Sequence, residues 1–402
     1  MKVQARWLTY WALVIGVVGA PVDADNGAPA PELWIGYTVF QTNLPGGRHA
    51  NIVTMRARTV RADGSDDRPV GAELVERDDS WTQFAGWSPD GTQAIVGCGW
   101  ESPENAAWEE EHRTFRMDGD GWLYDVHLVD IDGGRAVNVT AVERVSSYNS
   151  GLFFWPGAPD RLGFTALIDG VSHPFRMHLD GTHKVDLATG QEGFTYGFNA
   201  SPDGRRIAYH KAYQIYLADA DGANSVHIET GQPFNFVPQW SPDGERVLFL
   251  SGEHYNCHPH VVNRDGTGLR QLADRNGYRG VVTFLDVFDF HGGSSDVPVW
   301  AADGQSIFFT RREGETIELC RASLDGQLDQ LTHSPPGSHN YHPTPSADGQ
   351  WLILGTNKTG TRQLEVMHLG TGRTHALTRV PAGQGAMWPH WQPLRPESAA
   401  PP

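Results

Sequence analysis

The chain has 402 residues, a hydrophobic fraction of 39% and a formal net charge of −17 at pH 7. That length suits two domains or one large all-β ring, and 14 Trp with 17 Phe supply ample core for either. So acidic a chain argues against nucleic acid as a partner, since phosphates would be repelled and no basic run offsets the charge. Three cysteines, at 98, 257 and 320 and without a C-x-x-C, give no disulfide framework.

At the N-terminus, Lys2 and Arg6 precede the apolar run from Trp7 to Ala20, and Val22-Asp23-Ala24 resembles a cleavage site. This pattern predicts a secretory signal peptide over 1–24, too short to serve comfortably as a permanent span. The mature chain is therefore expected to be periplasmic or secreted, with no membrane span after cleavage; an uncleaved anchor is the alternative. The last residues, 394–402, are polar and Pro-rich and read as a disordered tail.

Between the ends one motif recurs, an aromatic residue, Ser-Pro-Asp-Gly and a short apolar run. Clear copies are Trp87-Ser88-Pro89-Asp90-Gly91, Ser201-Pro202-Asp203-Gly204 and Trp240-Ser241-Pro242-Asp243-Gly244. Weaker ones are Trp300-Ala301-Ala302-Asp303-Gly304 and Ser346-Ala347-Asp348-Gly349, with Trp155 and Pro159-Asp160 as a worn copy. Asp residues at 90, 160, 203, 243, 303 and 348 set steps of 40 to 70 residues, the spacing of propeller blades. Within a unit, stretches such as "RVLFL", "HVVNRDG" and "LRQLA" follow the motif as further strands, with Asp-Gly turns between them.

The predicted blades lie near 81–141, 149–193, 196–234, 235–282, 294–335 and 339–382. An orphan strand at 386–393 lacks partners, and the start of the mature chain, "LWIGYTVF", "NIVTMRARTV" and "RPVGAEL", lacks a first strand. Joining them closes the ring and removes two unpaired sheet edges. The fold class is thus all-β, a seven-bladed β-propeller over 32–393 made of four-stranded antiparallel blades. Six or eight blades are the alternatives, because the unit at 149–193 is the least regular.

In such a meander the start of the innermost strand, the loop between second and third strands, and the link to the next blade share one face. His254 and His258 in "GEHYNCHPH", His291 in "FDFHGGSSD", and His339 with His342 in "GSHNYHP" all fall there. His49, His210 and His390 are further candidates. Imidazoles from adjacent blades can converge on a divalent ion near the axis; solvated loop histidines are the plainer reading. Lys211, Arg311, Arg312, Lys358 and Arg362 gather on the same face and suit a carboxylate-bearing ligand. An acidic, aromatic insertion at 97–125 overhangs it as a lid, a partner-binding loop or a decorated hairpin.

The repeated Trp-Ser-Pro-Asp-Gly unit, covering about residues 32–393, resembles the repeat of TolB-type periplasmic β-propellers. That resemblance implies an exported propeller that binds a protein or glycan ligand on its loop-rich face. TolB proteins carry a further N-terminal domain, which is not expected between the cleavage site and Trp34. Some peptidases carry such propellers beside a hydrolase domain, but no G-x-S-x-G elbow is present here.

The stretch His342-Pro343-Thr344-Pro345-Ser346-Ala347-Asp348-Gly349 is similar to a His-Pro segment of the oligogalacturonate lyases. That family implies a divalent, manganese-like metal held by histidines and a glutamine, with another histidine as proton acceptor. By motif only His342 carries over; His291 and His339 join it as ligands by their place in neighbouring blades, and Ser338 and Asn340 stand where a glutamine would. His258 or His254 would be the base, with Arg362 or Arg312 steadying the substrate. The implied chemistry is β-elimination on an acidic oligosaccharide, the metal neutralising the uronate carboxylate and the developing enolate. The binding propeller is the leading reading because the repeat spans the whole mature chain; the metal-dependent lyase is the alternative.

Overall fold

The computed structural model describes residues 31–41, 54–75, 80–112, 122–132, 134–140, 146–168, 171–188, 195–282 and 296–394. The signal-like segment, His49, His291 and the tail from 395 lie outside them. The described strands form a seven-bladed β-propeller. Blade 1 joins the two ends of the chain, in the order β28 (Gln384–Trp391), β1 (Trp34–Gln41), β2 (Arg56–Arg61) and β3 (Arg68–Pro69). Blade 2 runs from β4 (Ser80–Trp87) through β5 (Gln93–Glu101) and β6 (Trp122–Asp130) to β7 (Ala136–Asn138), and blade 3 from β8 (Ser146–Phe154) through β9 (Arg161–Ile168) and β10 (Val171–His178) to β11 (Val185–Asp186). These two touch through one parallel pair, Tyr124 with Ser146, because β7 covers only part of β6.

Blade 4 holds β12 (Thr195–Ala200), β13 (Arg206–Lys211), β14 (Gln214–Asp219) and β15 (Val226–Ile228). Blade 5 holds β16 (Phe234–Trp240), β17 (Arg246–Glu253), β18 (Asn256–Asn263) and β19 (Arg270–Gln271). Blade 6 holds β20 (Val299–Trp300), β21 (Ser306–Glu313), β22 (Thr316–Ser323) and β23 (Leu328–Gln330). Blade 7 holds β24 (Asn340–Pro345), β25 (Trp351–Thr356), β26 (Gln363–His368) and β27 (Thr374–Ala376). The irregular unit near 149–193 is therefore a full blade. One departure from an all-strand reading is α1 (Pro103–His112) in the insertion of blade 2, capped where the Ser102 hydroxyl accepts from Asn105 N at 3.1 Å.

The repeated motif has a physical reason at each position. Ser88 donates to Asp90 Oδ1 at 2.6 Å and accepts from Gln93 N at 2.9 Å, while Gly91 turns at φ 67°. Ser201, Asp203 and Gly204 repeat the arrangement in blade 4. These bonds satisfy turn groups that no strand can serve. Three of the motif tryptophans reach across to a neighbouring blade: Trp87 Nε1 donates to His390 O at 3.0 Å, Trp155 Nε1 to Gly204 O at 3.0 Å and Trp300 Nε1 to Gln239 O at 3.2 Å. Between blades lie separate apolar clusters, such as Leu248, Val261, Ile307 and Phe309 between blades 5 and 6, each buried side chain contributing roughly 1.5–3 kcal/mol.

Within blades, an aromatic residue lies over a glycine directly opposite on the next strand. Trp81 pairs with Gly99, Phe40 with Gly385, Phe153 with Gly163 and Tyr341 with Gly355. A Cβ on Gly355 would stand 2.1 Å from the Tyr341 ring, so the ring occupies the space a side chain would need. The ring closes through Ile35 opposite Trp391 and Val39 opposite Ala386, while the Gln392 side chain accepts from Trp34 N at 3.1 Å and donates to Gly91 O at 2.6 Å.

Truncation after Pro381 removes β28 and opens two edges, so the shortened chain is expected to lose most of its thermal stability and to aggregate. A cooperative melt near that of the full chain would contradict this. Gly355→Ala should cost roughly 1–3 kcal/mol in denaturant unfolding, because Tyr341 has to move.

Candidate functional site

Innermost strands of several blades break register once on the way down the channel. In β16 the shift lies between Phe236 and Gln239, with Val237 at φ 48°; in β24 it lies between Tyr341 and Thr344, with His342 at φ 48°. In β28 the extra residue is Trp388, at φ 50°. A bulge of this kind re-aims a side chain out of the sheet alternation, and bulges concentrate beside functional sites. Here the result is that the rings of His342 and Trp388, from adjacent blades, stack at 6.2 Å.

Beside them stands a buried polar network supplied by the long connection from β19 to β20. Asp296 is fully buried. Its Oδ2 accepts from Tyr278 Oη at 2.9 Å and Thr310 Oγ1 at 2.7 Å, and its Oδ1 from His342 N at 3.1 Å. Arg275, also fully buried, donates to the Asp296 backbone carbonyl and lies 5.3 Å from the Tyr278 ring. Burial and the Asp296 carboxylate push the Tyr278 phenol well above its ordinary range, so it remains a donor. With its proton given to Asp296, the phenol oxygen accepts from His339 Nε2 at 2.8 Å, which leaves Nδ1 as the lone-pair nitrogen of His339. Burial pulls His339 down to about 4 against the opposing pull of Asp296. It is therefore neutral at pH 7, a good hydrogen-bond acceptor and a weak base.

Arg362 precedes β26, in the loop between the second and third strands of blade 7. Its guanidinium is 5.8 Å from the Tyr341 ring, and its backbone carbonyl accepts from Ala386 N at 3.0 Å, tying the loop to β28. Burial lowers its pKa, but a guanidinium stays charged. Tyr341 donates to Ala386 O at 3.0 Å.

The structure thus brings together His339, His342 and Arg362, and sets Arg312 close by: Arg312 N donates to Arg275 O at 3.0 Å. His258 stands behind this group. Its Nδ1 accepts from Arg275 N at 3.1 Å, so in the neutral ring the proton sits on Nε2, and burial keeps it neutral against Asp274. That geometry makes His258 a support for Arg275. His254 is on the exposed turn between β17 and β18, its ring 4.9 Å from Phe234. Lys358 and Arg311 are paired with Glu365 and Glu313, each at 2.7 Å. His390 lies on β28, and His210 is buried in blade 4 with Nδ1 accepting from Val237 N at 3.4 Å. Tyr278, Asp296 and Arg275 belong to no motif; the unusual length of their connection is the one sequence signal that singles them out.

A divalent ion needs three or more convergent donors. His291 lies outside the described residues, and among those described no group of three or more His, Cys, Asp or Glu is placed to hold a metal ion. His339 moreover uses Nε2 on Tyr278. The described donor set does not fit a resident metal, and no step is assigned to one.

Comparison with known proteins gives the following. The family profile described as the TolB beta propeller domain matches residues 119–395. An uncharacterized protein of Agrobacterium fabrum is 30% identical over 165 residues, 39% of this chain and 54% of the relative. A protein TolB homolog of Chlorobium luteolum is 28% identical over 221 residues, 55% of this chain and 43% of the relative. The chain thus spans about half the length of the curated relatives it matches. Among solved structures, an oligogalacturonate lyase in complex with manganese superposes with a TM-score of 0.54 at 15% identity, over 88% of this chain and 89% of that one, a likeness of fold.

The depressed histidines make stability pH-dependent. His339 and His390 are held near 4 by burial, so the unfolded chain takes up protons below about 6.5 while the folded chain resists them until about 4. Stability should be level above pH 7 and fall as pH drops from 6.5 towards 4. Melting curves of His339→Gln and His390→Gln should show a smaller loss over that window than the parent; an unchanged slope in both would refute the assignment.

Proposed function

Because the chain belongs to the TolB beta propeller family, we propose that it is an exported binding propeller whose loop-rich mouth holds a carboxylate-bearing ligand, on a protein or a glycan. The observation that carries this reading is the preorganised polar cluster at the mouth: Arg362 between the Tyr341 ring and β28, beside the Asp296–Tyr278–His339 chain of hydrogen bonds. A propeller needs no buried aspartate or arginine there to close, and burying them costs several kcal/mol unless each is well partnered. Arg362 and the exposed Arg312 supply charge, while neutral His339 accepts a hydroxyl or amide proton.

Periplasmic or secreted location rests on the signal-like segment; among the described residues no helix is long and apolar enough to cross a membrane. N-terminal sequencing of the exported fraction should give a start near Asp25, and an intact Met1 in a cytosolic pool would reject export.

The lyase reading, with His291, His339 and His342 around a manganese-like ion and His258 or His254 as base, asks for imidazole nitrogens left open to metal and substrate. His339 gives its Nε2 to Tyr278 and His258 its Nδ1 to the amide of Arg275, which favours binding over elimination. Calorimetric titration with oligogalacturonate and with a poly-glutamate peptide, against neutral dextran, tests the proposal. Acidic ligands should bind, and Arg362→Gln should weaken them roughly 10- to 100-fold, the worth of a charge-assisted hydrogen bond. Equal binding of dextran, or release of unsaturated uronate by the metal-supplemented protein, would overturn it.

A further inference from the structure

The loop-rich face also carries a row of aromatic side chains across blades 4 and 5 that the axial cluster does not use. The Tyr213 ring meets Phe234 at 5.1 Å, Phe234 meets His254 at 4.9 Å, His254 meets Tyr255 at 4.2 Å, and the Arg279 guanidinium lies 4.2 Å over Tyr255. Tyr213, His254 and Arg279 are exposed, with Phe234 and Tyr255 half-buried between them, and Phe236 forms the floor 5.4 Å below Tyr213.

Two features separate this row from incidental surface apolarity. The turns joining second to third strands in blades 4 and 5 each present a tyrosine in the left-handed region, Tyr213 at φ 62° and Tyr255 at φ 58°. Ala212 precedes the first at φ 47°, so a two-residue turn that normally takes Asn-Gly holds Ala-Tyr instead. Such a backbone is unfavourable for a bulky residue, and the same placement occurs at equivalent turns of adjacent blades. The second feature is Arg279. Among the described residues no carboxylate pairs with it, and it lies exposed over the Tyr255 ring at 4.2 Å. In a chain of net charge −17, a cation at the end of an aromatic row complements an anion.

We infer that this row is a glycan-binding strip for an acidic oligosaccharide, with sugar rings packed on Tyr213 and Phe234 and a carboxylate held by Arg279, which Tyr255 supports from beneath. The C–H face of a pyranose is weakly positive and meets the negative face of an aromatic ring. Neighbouring rings here are tilted by 37° to 60°, so the row suits a chain of separately oriented sugars better than one flat ligand. The inference rests on the ligand-binding reading of the same face and selects glycan over protein; a proline-rich peptide, which also docks on aromatic rows, is the competing occupant.

Calorimetry on the full mature chain separates the outcomes. The probes are digalacturonate, hexagalacturonate and methyl-esterified hexagalacturonate, with a proline-rich peptide as competitor. Tyr213→Gly and Tyr255→Gly suit their left-handed backbone, and Arg279→Gln is a surface change that leaves the strands intact. Each tyrosine variant should weaken hexagalacturonate about 2- to 10-fold and leave digalacturonate unchanged, whereas Arg362→Gln weakens both. Arg279→Gln should weaken hexagalacturonate but not its methyl ester. If Arg362→Gln weakens binding while the strip variants do nothing at any length, the strip is refuted and the axial reading stands. Loss of binding in neither set refutes both. Displacement of hexagalacturonate by the peptide, in a manner abolished by Tyr213→Gly, would make the strip a peptide site and overturn the glycan assignment.

Discussion

The pairing of β1 with β28 is the interaction on which the rest of the molecule depends. It joins residues more than 340 positions apart, Ile35 with Trp391 and Val39 with Ala386, into one antiparallel sheet. Without it blade 1 has no innermost strand, and the ring would expose two edges with unsatisfied backbone groups. It also brings Trp388 and His390 to the axis beside blade 7, so the mouth is assembled by the same contact that closes the fold. The long sequence separation makes that contact entropically expensive to form, and the bonds of Gln392 to Trp34 and Gly91 lock it from outside.

Around the axis, local backbone irregularity does the positioning. Bulges at Val237, His342 and Trp388 interrupt the two-residue alternation that would send every second side chain between blades. The position of His342 is fixed further by its own amide bonding to Asp296, which in turn orders Tyr278 and hence His339. A carboxylate this deeply buried is tolerable because three donors satisfy it. The cost of desolvation thus becomes rigidity at the mouth, where a ligand would otherwise have to order loose loops on binding.

Much of the fold could be read from residues alone because its signals are local. Asp90, Asp203 and Asp243 mark turns whose chemistry lies within five residues, and the orphan strand near 386–393 announces its missing partners by composition. The site was legible only in outline. His339, His342 and Arg362 could be placed on one face from topology, since the face follows from strand order. Tyr278, Asp296 and Arg275 could not, because they act through an inter-blade connection whose path depends on tertiary packing. The support role of His258 was likewise hidden: that its Nδ1 meets the amide of Arg275 follows from how the connection after β19 folds against β18, which no spacing encodes.

A crystal structure of the mature protein with bound digalacturonate would show whether the mouth holds a carboxylate. The expected complex has a ligand carboxylate against the guanidinium of Arg362, a hydroxyl donating to Nδ1 of His339, and an undisturbed hydrogen bond between His339 and Tyr278. A ligand seated elsewhere on the propeller, with Arg362 still packed on Tyr341 and touching nothing bound, would contradict it.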